Sequence, residues 1–154
     1  MKRIKRGFTL IELVVVTLIM GILASMSMPY YYKTVEASKA TDALAIGQLL
    51  GSAYRMFRID NPNNTLSGDI TAACNSGGCN IGDGNACNLV RCNYVAPQDW
   101  TNASYKFSVG GSCGGAAACV DRVDTGGPYD NWGYSFNTVG GCTALNGAPP
   151  CPKF

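Results

Sequence analysis

The chain has 154 residues, with 12 basic and 10 acidic side chains, eight cysteines, 19 glycines and no histidine, for a net charge of +2. That length suits one domain with a modest core. The lack of histidine removes the commonest general base and metal ligand, and so small a charge balance leaves no broad basic surface for nucleic acid.

Four of the basic residues, Lys2, Arg3, Lys5 and Arg6, stand ahead of Gly7; without them eight basic side chains face ten acidic ones. From Leu13 to Tyr32 no side chain is charged. At ~1.5 Å rise per residue this run can cross a hydrocarbon core about 30 Å thick, with its basic flank held in the cytoplasm. Glu12 at its head is the odd residue, because an intramembrane acid costs about 2–3 kcal/mol or more unless it is protonated or paired.

The order Gly7, Phe8-Thr9-Leu10-Ile11-Glu12-Leu13 resembles the class III leader of type IV pilins and pseudopilins, and the likeness extends over residues 1 to about 60. It implies that a prepilin peptidase cuts between Gly7 and Phe8, that the new Phe8 terminus is N-methylated, and that the apolar segment stays on the mature protein. A secretory signal peptide competes, with Ala24-Ser25-Met26-Ser27 as its exit, but Glu12 would then sit inside its apolar region. A plain membrane anchor explains the length and the charged flank, though not the order Gly7, Phe8, Glu12.

Pro29 inside the expected helix removes the hydrogen bond to the carbonyl of Ser25 and predicts a kink, with Gly21 weakening the same region. In the resembled filaments this stretch is often unwound, which implies a hinge. Tyr30, Tyr31 and Tyr32 suit a membrane boundary. Ile46, Leu49, Leu50, Ala53 and Phe57 form an apolar stripe at helical spacing, fit to cover a sheet. Gly47-x3-Gly51 allows close approach of a neighbouring element. The helix ends before Pro62.

Residues 63–101 read as an irregular loop tied by cysteines. Cys74, Cys79, Cys87, Cys92, Cys113, Cys119, Cys142 and Cys151 all lie beyond the membrane run and point to an oxidising compartment. The spacing of the first four also admits a tetrathiolate zinc site. Eight cysteines allow 105 pairings, and nearest neighbours are the expectation: 74–79, 87–92, 113–119 and 142–151. Strand periodicity is present at 104–109, 118–123 and 132–138. Asp121, Asp124 and Asp130 in a glycine-rich stretch are weak calcium candidates. Its D-N-W-G ending resembles the D-P-W-G of major pseudopilins, some of which bind calcium nearby; a turn with solvated acids is the plainer reading. The loop between Cys142 and Cys151 resembles the disulfide-bounded region of type IV pilins.

The expected fold is α+β, a long N-terminal helix packed on an antiparallel sheet of about three or four strands with disulfide-rich loops. The expected segments are a leader (1–7), a transmembrane and filament-core helix (8–32) and an extracytoplasmic domain (33–154). The resemblance implies a structural subunit that polymerises into a type IV pilus, with Glu12 pairing with a Phe8 amine, and no enzyme. Implied partners are copies of itself, the prepilin peptidase, an inner-membrane assembly platform and lipid, and the implied location is the bacterial inner membrane followed by an extracellular filament. Two other readings are a major pseudopilin of a type II secretion system and a membrane-tethered disulfide-rich binding module. No cofactor is expected beyond the calcium candidate.

Overall fold

The computed structural model describes residues 8–100 and 103–152, so the leader with Gly7 lies outside the described residues. Contacts divide the chain into two units, 1–37 and 38–154. Helix α1, Leu10–Asp60, runs unbroken through Gly21 and Pro29. Its end is set at Asn61, whose N–H reaches the Phe57 carbonyl at 2.8 Å and whose side-chain amide donates to the same oxygen at 3.2 Å. Pro62 then forbids another turn.

In the second unit the α1 segment from Ser38 lies on a five-stranded antiparallel meander: β1 (Ser67–Ile70), β2 (Tyr105–Gly110), β3 (Ala118–Arg122), β4 (Gly133–Phe136) and β5 (Cys142–Leu145). Phe107, Val120 and Tyr134 are aligned across three strands and face the helix. The alternate residues Asp69, Ser108, Cys119 and Ser135 line the other face. There the Ser108 hydroxyl donates to the Asp69 carboxylate at 2.8 Å, which satisfies a largely buried polar group.

The helix buries part of the expected stripe and turns further round its axis: Leu50, Ala53 and Phe57 are buried as expected, together with Ala40, Ala43, Leu44, Gly47, Gly51 and Tyr54, while Ile46 is half-buried and Leu49 is 43 % exposed. Leu49 lies about 200° round the axis from Gly47, on the opposite side. Apolarity pointed to Leu49, whereas the sheet takes the small residues. A Cβ on Gly47 would collide with the Phe136 ring and come within 2.6 Å of the Val120 Cγ2. Glycine here lets helix and sheet come close.

The segment 63–101 is not an irregular loop. It holds β1, 3₁₀ turns at Ala72–Asn75 and Ile81–Asp83, and the short helix α2, Asn88–Arg91. The fully buried Asn88 side chain pins it, donating to Asn80 O and Asp83 Oδ1, both at 2.6 Å, and accepting from Asn80 N at 3.1 Å. The Arg91 guanidinium donates to Ser76 O at 2.7 Å and Ala73 O at 3.2 Å. These bonds lay the 73–80 stretch beside α2, so the disulfides are Cys74–Cys87 and Cys79–Cys92 in place of the expected 74–79 and 87–92. Cys113–Cys119 and Cys142–Cys151 pair as expected. With every cysteine oxidised, the thiolate zinc reading is set aside.

Candidate functional site

The N-terminal stretch 8–32 is exposed along its whole length, and among these residues only Glu12 is charged. Helix α1 is long and apolar enough to cross a membrane. Its few hydroxyls bond back to its own carbonyls: Thr17 to Val14 O at 3.0 Å, Ser25 to Ile22 O at 2.8 Å and Ser27 to Ala24 O at 3.2 Å. An apolar surrounding therefore meets no unsatisfied side-chain donor at these positions.

Glu12 is held locally. Its Oε2 accepts the Thr9 N–H at 2.9 Å and the Thr9 hydroxyl at 2.7 Å, while the Glu12 N–H lies 3.4 Å from the Thr9 Oγ1. Thr9 stands just before the first helical residue and Glu12 is third within the helix, which is the capping-box arrangement. The carboxylate also lies at the positive end of the helix dipole. The signal was present as Thr-x-x-Glu in Thr9-Leu10-Ile11-Glu12, but the expectation assigned Glu12 only a Phe8 amine as partner.

Phe8 precedes this cap with its side chain 79 % exposed. Among the described residues a Cβ on Gly21 would meet nothing within 4 Å, so no contact among them demands glycine there. Pro29 lies inside an unbroken helix, so within one chain the stretch from Gly21 to Pro29 is wound.

Of the three calcium candidates, the Asp124 and Asp130 side chains meet each other in the loop, and Asp121 does not join them in a metal-holding group among the described residues. Asp121 lies on β3, with its carboxyl raised above the usual carboxylate range by burial and by the Asp69 charge, against the pull of Lys106. Asp124 accepts the Gly126 N–H at 3.1 Å. Asp130 accepts the Thr125 hydroxyl at 2.9 Å through one oxygen and the Gly127 N–H through the other. Burial pushes the Asp130 carboxyl up, but the bonds from Gly127 and Thr125 outweigh it and leave the group below its ordinary value. Among the described residues no group of three or more His, Cys, Asp or Glu side chains is placed to hold a metal ion. An open apolar hollow lined by Leu44, Ala45, Gln48, Gly141, Cys142 and Pro152 presents no acid or base.

Residues 2–28 match the family model described as the prokaryotic N-terminal methylation motif. The chain is 31% identical over 87 residues to the type IV major fimbrial protein FimA of Dichelobacter nodosus, covering 49% of this chain and 56% of that one. It is 31% identical over 77 residues to a fimbrial protein of Neisseria meningitidis serogroup B, covering 47% and 45%. It is 37% identical over 60 residues to the type II secretion system core protein G of Pseudomonas aeruginosa, covering 39% and 42%. The chain thus spans about half the length of the curated relatives it matches. No solved structure matches.

Proposed function

We propose that this chain, a member of the type IV pilin and pseudopilin family, is a structural subunit that polymerises into a type IV pilus. The observation that carries the reading is the exposed uncharged helix face of residues 13–32 with one acid, Glu12, at its head. Before assembly lipid covers that face, and the Thr9 cap satisfies part of the carboxylate. Cleavage after Gly7 leaves an ammonium on Phe8, four residues from Glu12. In the filament Glu12 pairs with the Phe8 amine of its own or a neighbouring chain, because either charge unpaired in an apolar surrounding is penalised. Helix then replaces lipid around residues 8–32, and Gly21 and Pro29 supply the place where the helix yields as copies pack. The subunit works by packing rather than by catalysis.

Two features favour a type II secretion pseudopilin as the second reading: the D-N-W-G stretch at Asp130–Gly133 and the similarity to core protein G. The Cys142–Cys151 bridge, which closes a C-terminal loop, favours the pilus. Electron microscopy of sheared cell-surface material separates the two, with long filaments containing this chain for a pilus and none for a pseudopilus. Glu12→Val should abolish or disorder the filaments while the subunit still enters the membrane. Undiminished filament yield from that variant would overturn the reading.

A further inference from the structure

Arg55 and Arg58 lie on one flank of α1, both half-buried, and neither meets an acid among the described residues. With Tyr54 and Ile59 of the helix and Thr138 of the turn between β4 and β5 they line a hollow of about 430 Å³. Each guanidinium is held in place by neutral groups. Arg55 donates to the Ser52 hydroxyl at 3.0 Å and lies so close over Gly140 that a Cβ there would come within 2.5 Å of its Nη1. Arg58 donates to the Asn64 carbonyl at 2.9 Å. The turn that closes the hollow is itself fixed, since the Asn137 side-chain oxygen accepts the N–H groups of Val139 at 3.1 Å and Gly141 at 2.6 Å. Among the described residues no acid lines the hollow. Asp60, the nearest acid along the helix, lies about 140° round the axis from Arg55 and about 200° from Arg58. It is engaged elsewhere, accepting the Tyr94 hydroxyl at 2.9 Å.

We propose that this hollow binds a phosphate group, as the free ion or as a monoester, between Arg55 and Arg58. Like charges at this helical spacing repel each other, and their partial burial costs solvation that no acid offsets. A bound anion removes both penalties. Each guanidinium uses one N–H on its neutral acceptor and keeps about four, in the planar fork that matches the oxygens of phosphate. The pair carries two positive charges. A phosphate group with a charge of about −1.5 to −2 at neutral pH balances them, and a lone carboxylate does not. Thr138 adds a hydroxyl at the rim. Because the guanidiniums and the turn are held before a ligand arrives, little side-chain freedom is lost on binding. The site needs no neighbouring copy, so it stands or falls apart from the polymerising reading.

The test titrates the detergent-solubilised full chain with inorganic phosphate at constant ionic strength, followed by isothermal calorimetry. Binding should saturate with one phosphate per chain. Arg55→Gln and Arg58→Gln should each weaken it about tenfold, the effect of one lost charge-assisted hydrogen bond. Arg55→Lys and Arg58→Lys keep the charge and lose the fork, so their affinities should fall between those of wild type and the glutamine variants. Lys106→Gln removes the same charge from β2, outside the hollow, and should leave the affinity unchanged. Uptake that does not saturate, arginine variants that bind like wild type, or an equal loss from Lys106→Gln overturns the site. Acetate that binds as tightly as phosphate overturns the choice of phosphate. Glucose 6-phosphate separates the two sources. Tighter binding than the free ion supports an ester whose attached group reaches Ile59, and equal or weaker binding supports the free ion.

Discussion

Gly47 and Gly51 show how one atom decides a residue's effect. At Gly47 a Cβ would meet the Phe136 ring and the Val120 Cγ2, both held in the sheet, whereas at Gly51 it would lie 3.4 Å from the Phe136 Cβ, an ordinary contact. Replacing glycine by alanine in a helix gains about 1 kcal/mol, but overpacking a tight core costs roughly 1–3 kcal/mol. Gly47→Ala should therefore destabilise the protein, while Gly51→Ala should leave it level or raise it slightly. Urea unfolding of the detergent-solubilised chain measures both, and equal effects at the two sites would refute the close approach. Tyr134 tests burial in another way. Its hydroxyl has no hydrogen-bond partner among the described residues and is pushed up to about 12, by burial first and by Tyr105 second. The folded state thus holds the phenolic proton more tightly than the unfolded chain, whose tyrosines titrate near ~10. Stability should be undiminished below that value and fall as pH rises from about 10 toward 12. Tyr134→Phe should flatten that fall and cost little at neutral pH, since it removes an unsatisfied buried group; a large loss at pH 7 would show that the hydroxyl has a partner.

Among the elements, the disulfide-tied segment before β2 carries the main departure from expectation. Cys74–Cys87 and Cys79–Cys92 each span 13 residues and run parallel, joining the 72–75 turn and its sequel to α2. Loops of that length stabilise by about 3 kcal/mol each on the chain-entropy account. Peptide mapping without reduction should recover the 74–87 and 79–92 pairs, and serine at both ends of either bridge should lower stability by about 2–4 kcal/mol. Recovery of 74–79 or 87–92 would contradict the packing set by Asn88 and Arg91. Strand β1 was illegible for a related reason. Ser-Gly-Asp-Ile has little strand preference of its own, and it is a strand because β2 pairs with it, from Ser67 opposite Gly110 to Ile70 opposite Phe107. Gly110, with φ of 62°, is required at that edge, since a Cβ there would collide with the Leu66 carbonyl.

At the scale of the whole molecule, the chain joins an unburied apolar helix to a compact disulfide-bonded domain, and its fate depends on where the first is stored. Substituting Gly7 by a bulkier residue should leave the leader attached, so intact mass would exceed that of the cut chain by residues 1–7 and lack the methyl group. A cut, methylated Phe8 terminus in that variant would refute the processing site.

The amino-acid sequence by itself determined the leader motif, the membrane-length run with its single acid, the helix end before Pro62 and the three strands that became β2, β3 and β4, because each is written in neighbouring residues. The capping of Glu12 by Thr9 was also local and readable. Only the tertiary structure decided which side of α1 meets the sheet, that Ser67–Ile70 and Cys142–Leu145 extend it to five strands, and how the first four cysteines cross-pair. Those outcomes depend on residues far apart in the chain. The close fit of Gly47 under Phe136 and the bonds of buried Asn88 select among arrangements that local pattern leaves equal.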